Sequence, residues 1–310
     1  MTWNPVTLPD QRGRTVVVTG STAGIGYFAA EQLAGAGAHV VLASRSPAKL
    51  ASARAAIREQ VDGAHIDTVP LDLTEPDSVA AAVGTLAELP RLDGLLLNGG
   101  AMQAGPAPTA WQVPAMLATH VVANVALVAG LLPRLIATGD AARPARIVHT
   151  SSGFVDRATM SVADVTATPR TSVGAYTQAK TITEVFAYEL DRRLRAAGAP
   201  VISLVTRPGV GVDARTPERA GVHDATTPRR RNPFTPWAQG KDTAAWSAVR
   251  AMTDASAEGG QLYAPEGAFR GGPVVKAPNA RTAGAQLADS VWLQLEALAG
   301  TRIPLDPALA

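Results

Sequence analysis

The sequence predicts an α/β protein built on a doubly wound parallel sheet flanked by helices, and three observations carry that prediction. Short apolar runs without polar alternation, such as Val16-Val17-Val18, read as strands buried on both faces. Alanine-rich stretches of helical composition separate these runs at a steady rhythm, which implies right-handed crossovers between parallel strands. The polar residues of chemical interest fall just past the C-terminal ends of the strands, the edge at which open α/β sheets bind ligands.

Taken in order, residues 1–13 read as an N-terminal tail and 14–310 as one domain. The first strand runs into a helix over 27–36, followed by a strand over 38–44 in which His39 is an edge residue with no chemical role. A helix over 47–60, a strand over 66–71, a helix over 77–89 and a strand over 94–97 continue the alternation. Beyond these come a helix over 120–137, a strand over 146–150, a long helix over 176–197 and a strand over 201–205. A helix over 241–252, a strand over 261–263 and a helix over 283–298 close the chain. Residues 213–240 hold several prolines, the run Arg229-Arg230-Arg231 and little periodicity, the composition of a substrate lid.

Composition narrows the function. A chain of 310 residues with 46% hydrophobic content can bury a full core without dividing into several domains. A net charge of +2 gives no footprint for nucleic acid, and three consecutive arginines read as a solvated loop. The absence of cysteine excludes disulfides, thiolate nucleophiles and cysteine-ligated metals, and it fits a reducing, cytoplasmic setting. The N-terminus lacks the apolar core of a signal peptide. Residues 94–133 carry no charged side chain, but their apolar piece 121–132 is short for a bilayer and contains Asn124. A buried helix in a soluble protein is expected there, with no membrane span.

Two constellations carry chemistry. After the first strand come Gly20, Gly24 and Gly26, then a helix. Glycine lets backbone approach a ligand closely, and a helix N-terminus directs free N–H groups and a partial positive charge at a phosphate. The second constellation is Tyr176 with Lys180, four residues apart on one helix face, together with Ser152 at the end of the preceding strand. An ammonium beside a phenol favours the phenolate, and a phenol so tuned can pass a proton to or from a carbinol oxygen. The Ser152 hydroxyl can hydrogen-bond the same oxygen as its charge develops.

The spacing Thr19-Gly20-x-x-x-Gly24-Ile25-Gly26 and these catalytic candidates resemble the short-chain dehydrogenase/reductase family from about residue 14 to residue 300. The resemblance implies a Rossmann-type fold. It implies cofactor contacts at Gly20, Ser21, Thr22, Gly24, Ile25 and Gly26, at Asp72 and Leu73, and at Asn98 and Gly99 in the altered segment Asn98-Gly99-Gly100-Ala101. It implies further contacts at Tyr176, Lys180, Pro208 and Gly209, with Ser152, Tyr176 and Lys180 catalytic. The 24-residue step from Ser152 to Tyr176 and the sequence Gly260-Gln261-Leu262-Tyr263 look like the branch containing retinol dehydrogenases and protochlorophyllide reductases.

Two departures accompany the resemblance. The asparagine that anchors a water relay to the lysine in the family aligns with His120, and Asn124 follows one turn later on the same face. Either residue can hold the water, or His120 is an ordinary helix histidine and the relay is lost. Asp213 replaces the threonine that often follows the Pro-Gly segment.

At the end of the second strand, where a carboxylate would select the ribose 2′-OH, the chain reads Ser44-Arg45, so NADPH is expected over NADH. The expected substrate is a small carbonyl or alcohol, with Phe154, Phe234 and Trp237 as apolar pocket candidates. Family resemblance alone allows a homo-oligomer. Reduction of a conjugated C=C bond, and a cofactor-binding scaffold without turnover, are the alternatives.

Overall fold

Val16, Val17 and Val18 show why the apolar runs become central strands: all three are buried, Val16 and Val18 in one core and Val17 in the other. The computed structural model describes residues 3–100, 107–157, 159–167, 169–228 and 232–305. Ala101 and the arginine run 229–231 lie outside the described residues.

The strands are β1 (Thr15–Thr19), β2 (His39–Ser44), β3 (Ile66–Pro70), β4 (Gly94–Leu97), β5 (Ala145–Thr150), β6 (Val201–Thr206), β7 (Leu262–Pro265) and β8 (Pro273–Lys276). They form one sheet in the order β3-β2-β1-β4-β5-β6-β7-β8, parallel except for β8 against β7. The helices on one face are α1 (Gly24–Gly35), α2 (Pro47–Gln60) and, later in the chain, α8 (Trp246–Thr253), which share a core with Val16 and Val18. The other face carries α3 (Pro76–Ala87), the rod from α4 (Ala115–Leu117) into α5 (Ala123–Thr138), α6 (Ser172–Ala196) and α10 (Ala288–Ala299). The order reverses between β1 and β4, so the strand ends there open a crevice.

Several elements differ from the expectation. Strand β8 was not foreseen, because its four residues begin at a proline after two glycines and read as loop. The expected helix over 120–137 begins at Ala115, and its turn Ala118–Val122 is wound as a π-helix. The whole rod, Ala115–Thr138, has 24 residues and contains an apolar window of mean hydropathy 2.0, so it is long enough to cross a bilayer. The length argument from the sequence therefore does not hold; the rod reads as core because 83% of its apolar window is buried. Helix α6 starts at Ser172 behind a Thr171 cap, which places Tyr176 in its second turn. The expected helix over 241–252 is two, α7 (Lys241–Ala244) and α8, and α9 (Ala280–Ala283) stands apart from α10.

The N-terminal segment packs on the fold: Trp3 Nε1 donates to Thr253 Oγ1 at 3.0 Å, and Gln11 is buried. His39 links strands: its Nε2 meets Asp67 at 2.9 Å, its Nδ1 meets Thr15 Oγ1 at 3.3 Å, and its ring stacks on His65.

Candidate active site

The glycine turn is shaped by steric necessity. Gly20 has φ +65°, and a Cβ there would lie 2.7 Å from Gly99 Cα. A Cβ on Gly26 would meet Gly20 O at 2.4 Å. Thr19 Oγ1 accepts from the backbone N–H groups of Asn98 and Gly99 at 3.0 and 2.9 Å, which binds the ends of β1 and β4 together. Helix α1 has no side-chain cap and no acid in its first turn, so its leading N–H groups stay open toward an anion. A turn that rejects side chains and a helix end left uncapped fit a dinucleotide phosphate.

Two cavities meet at this turn and share Gly20, Gly99 and Gly100 in their walls. The smaller, about 290 Å³, is lined by Thr22, Ser44, Arg45, Ser46, Lys49, Asp72 and Leu73 among others. Thr22 and Ser44 hydroxyls lie 3.1 Å apart, and Ser46 caps α2 by accepting from Lys49 N. Arg45 is largely exposed, with Nε 3.9 Å from Asp72, whose other carboxylate oxygen accepts from Thr74. The fold thus brings an acid beside Arg45 that no neighbour in sequence supplies, and adds Lys49 as a second cation. Ser21 is fully buried, its hydroxyl directed at Ala43 O, and its side chain lines neither cavity.

The larger cavity, about 900 Å³, holds Ser152, Tyr176, Pro208, Gly209 and Ile25 in its wall. Ser152 stands at the end of β5 as the cap of a 3-10 turn, Gly153–Asp156, accepting from Phe154 N at 3.3 Å. Its side chain shares the wall of the larger cavity with Tyr176. Burial raises the phenol above its ordinary value, and the nearby Ser152 hydroxyl pulls it partly back. Lys180, buried, has its ammonium 5.8 Å from the Tyr176 ring centre and donates to Thr150 O. Burial pushes that lysine down to about 7, against the opposing pull of Glu184. The tuning differs from the expectation of a lowered phenol, because burial is the largest influence on it.

His120 sits in the π turn with its ring edge-on to Tyr176, centres 5.5 Å apart, and its ring occupies the space a Cβ on Gly100 would need. Asn124 Nδ2 donates to His120 O at 2.8 Å, and Thr183 Oγ1 approaches the same carbonyl at 3.3 Å. The carbonyl one turn from Asn124 is therefore occupied by side chains, and the Lys180 ammonium is engaged elsewhere. Phe154 and Phe234 line the larger cavity with the unforeseen Phe269, whereas Trp237 does not.

The sequence matches the model of the short chain dehydrogenase family over residues 14–211. It is 33% identical over 261 residues to a polyprenol dehydrogenase of Mus musculus, covering 83% of this chain and 76% of the relative. The chain is a short-chain dehydrogenase/reductase. Human retinol dehydrogenase 12 is 34% identical over 200 residues, 64% of this chain and 61% of that one, which places this enzyme in the retinol dehydrogenase-like branch. A crystal structure of an uncharacterized protein from Mycobacterium paratuberculosis superposes with a TM-score of 0.78 at 26% identity, covering 98% of this chain and all of that one.

Sequence reasoning missed the polar network under this dehydrogenase/reductase's site. Glu184, fully buried, accepts from Ser151 Oγ at 2.7 Å, from Arg207 at 2.8 and 3.0 Å, and from Thr282 Oγ1 at 2.9 Å. Arg207 also pairs with Asp156. One network therefore fixes the residue before Ser152, the residue before Pro208, and α9. The available signal was Glu184 one turn beyond Lys180, an acid on a helix face already assigned to the interior.

Proposed function

We propose that this enzyme is an NADP(H)-dependent oxidoreductase acting on a carbonyl or secondary alcohol, with Tyr176 as proton donor and acceptor. The observation that carries the reading is the convergence of Ser152, Tyr176 and the buried Lys180 beside one cavity that also meets the glycine turn. The cofactor, when bound, supplies or takes up hydride at the nicotinamide. Tyr176 gives its proton to the reduced oxygen or takes one from the alcohol, and Ser152 holds that same oxygen by hydrogen bonding. Lys180 places a cation near the phenol, which eases loss of its proton.

Preference for the phosphorylated cofactor is supported by Arg45 and Lys49 with the hydroxyls of Thr22, Ser44 and Ser46 around the smaller cavity. Guanidinium and hydroxyl groups attract a 2′-phosphate, and the N-terminus of α2 adds to that field. An apolar substrate is supported by Phe154, Phe234 and Phe269 in the wall, and by relatives whose names are polyprenol and retinol dehydrogenase.

The test is oxidation of NADPH by the purified protein over a panel of apolar ketones and aldehydes, with product analysis. Alcohol products are expected. Saturation of a conjugated C=C bond would replace this reading by the alternative reductase. Cofactor binding without turnover on any substrate would make the protein a scaffold.

A further inference from the structure

The sequence marked Lys241 only as the start of a helix, yet its side chain reaches the glycine turn in the larger cavity. Its Cδ lies 3.6 Å and its Nζ 4.0 Å from the point where a Cβ on Gly24 would stand. The side chain lines the cavity together with Gly20, Ala23 and Ile25, at the open N-terminus of α1. Its ammonium is paired with Asp213, a nearly buried carboxylate on the segment after Pro208-Gly209. Asp213 also has His223 Nδ1 at 4.0 Å.

The two partners stand on backbone that is stitched together. Val212 N donates to Gln239 O at 2.9 Å, Gln239 N to Val210 O at 3.0 Å, and Lys241 N to Thr216 Oγ1 at 2.9 Å. Gln239 Nε2 also holds Pro208 O at 2.9 Å. The lysine stem can swing while its base stays fixed. A carboxylate beside a phosphate cradle is electrostatically out of place unless a cation covers it.

We infer that Lys241 is a ligand for the diphosphate of the dinucleotide, and that Asp213 is the counter-ion from which the incoming diphosphate recruits it. This rests on the dinucleotide reading above. The diphosphate brings negative charge to the α1 N-terminus, and Lys241 turns toward it, leaving or sharing Asp213. Asp213 keeps the cation in place before binding and competes for it afterwards. The two halves of one ion pair then act on affinity with opposite sign, which an ion pair serving only stability would not do.

The experiment is equilibrium binding by calorimetry, with NADPH, NADH, ADP-ribose and adenosine as probes and no turnover involved. Lys241→Met should weaken the three diphosphate ligands alike, by roughly 10- to 150-fold for one hydrogen bond to a charged group. Adenosine should bind the variant as it binds the parent protein. Lys241→Arg should retain most of the affinity, and Asp213→Asn should tighten the diphosphate ligands. Thermal denaturation of each variant confirms folding, and Asp213→Asn keeps the test decisive if Lys241→Met unfolds. Unchanged ADP-ribose affinity in Lys241→Met, or weakening in Asp213→Asn, overturns the inference. Failure of the parent protein to bind any of the dinucleotides would instead overturn the reading on which it rests.

Discussion

The phenol of Tyr176 bears the proton chemistry in the proposed reaction, and its surroundings let that role be tested by removing one atom. Tyr176→Phe keeps the ring that packs between His120 and Phe154 and deletes only the phenolic hydroxyl. Turnover should fall roughly 10²–10⁴-fold, the scale of general acid catalysis, with cofactor affinity little changed. Near-normal turnover would remove Tyr176 from the mechanism. At the other end of the crevice, Arg45 is exposed and holds Asp72 only loosely, so its guanidinium is available to a 2′-phosphate. Arg45→Ala should weaken NADPH binding by roughly 10- to 150-fold and NADH binding much less. Equal affinities of the parent protein for the two cofactors, measured by fluorescence titration, would contradict that assignment.

Helix α6 carries Tyr176, Lys180 and Glu184 at successive turns of one face, so the proposed proton chemistry and a structural charge share one element. Glu184 joins β5, β6 and α9 through Ser151, Arg207 and Thr282. Taking one partner from a buried ion pair leaves the other charge short of compensation, at a cost of about 3–5 kcal/mol. Glu184→Gln should lower the urea midpoint accordingly, and it should lower turnover because Ser152 and Pro208 each adjoin a residue of the network. An unchanged midpoint would mean that Asp156 alone suffices for Arg207. The π turn Ala118–Val122 is the other element of consequence, because it sets the His120 ring against Tyr176 and Gly100. Such turns relieve or create strain at functional positions, and here the wider turn coincides with the place where the family's asparagine aligns.

The molecule as a whole stores a titratable group at its centre. His149, on β5 and buried, is pushed down to about 3 from an ordinary 6.5, by burial first and by the Lys180 charge second. Between those values the unfolded chain takes up a proton at this residue and the folded chain does not. The associated stability is therefore complete above the unfolded value and declines as pH falls, by up to about 1.4 kcal/mol per unit. Thermal midpoints followed from pH 7 to pH 4 should drop less steeply in His149→Leu than in the parent protein. Identical slopes would assign the acid limb to carboxylates alone.

The strand and helix alternation, the glycine turn, and the Ser152, Tyr176 and Lys180 constellation were legible in the chain, because each depends on local spacing. Buried parallel strands need continuous apolar runs, and a phosphate turn needs glycines at fixed offsets. Element ends were less legible: the start of the rod at Ala115, its π turn, and the edge strand β8 depend on packing partners distant in sequence. Tertiary structure alone decided that Asp72 stands beside Arg45, that Lys49 shares the smaller cavity with Arg45, and that Lys241 reaches Gly24. It also decided the ionisation of the site. Spacing puts Lys180 on the same face as Tyr176, but only the folded interior shows burial raising the phenol against Ser152 and lowering the lysine against Glu184. The physical reason is one of range: backbone preference and periodicity act over a few residues and are written locally, whereas desolvation and charge pairing depend on which distant segments the fold brings into contact.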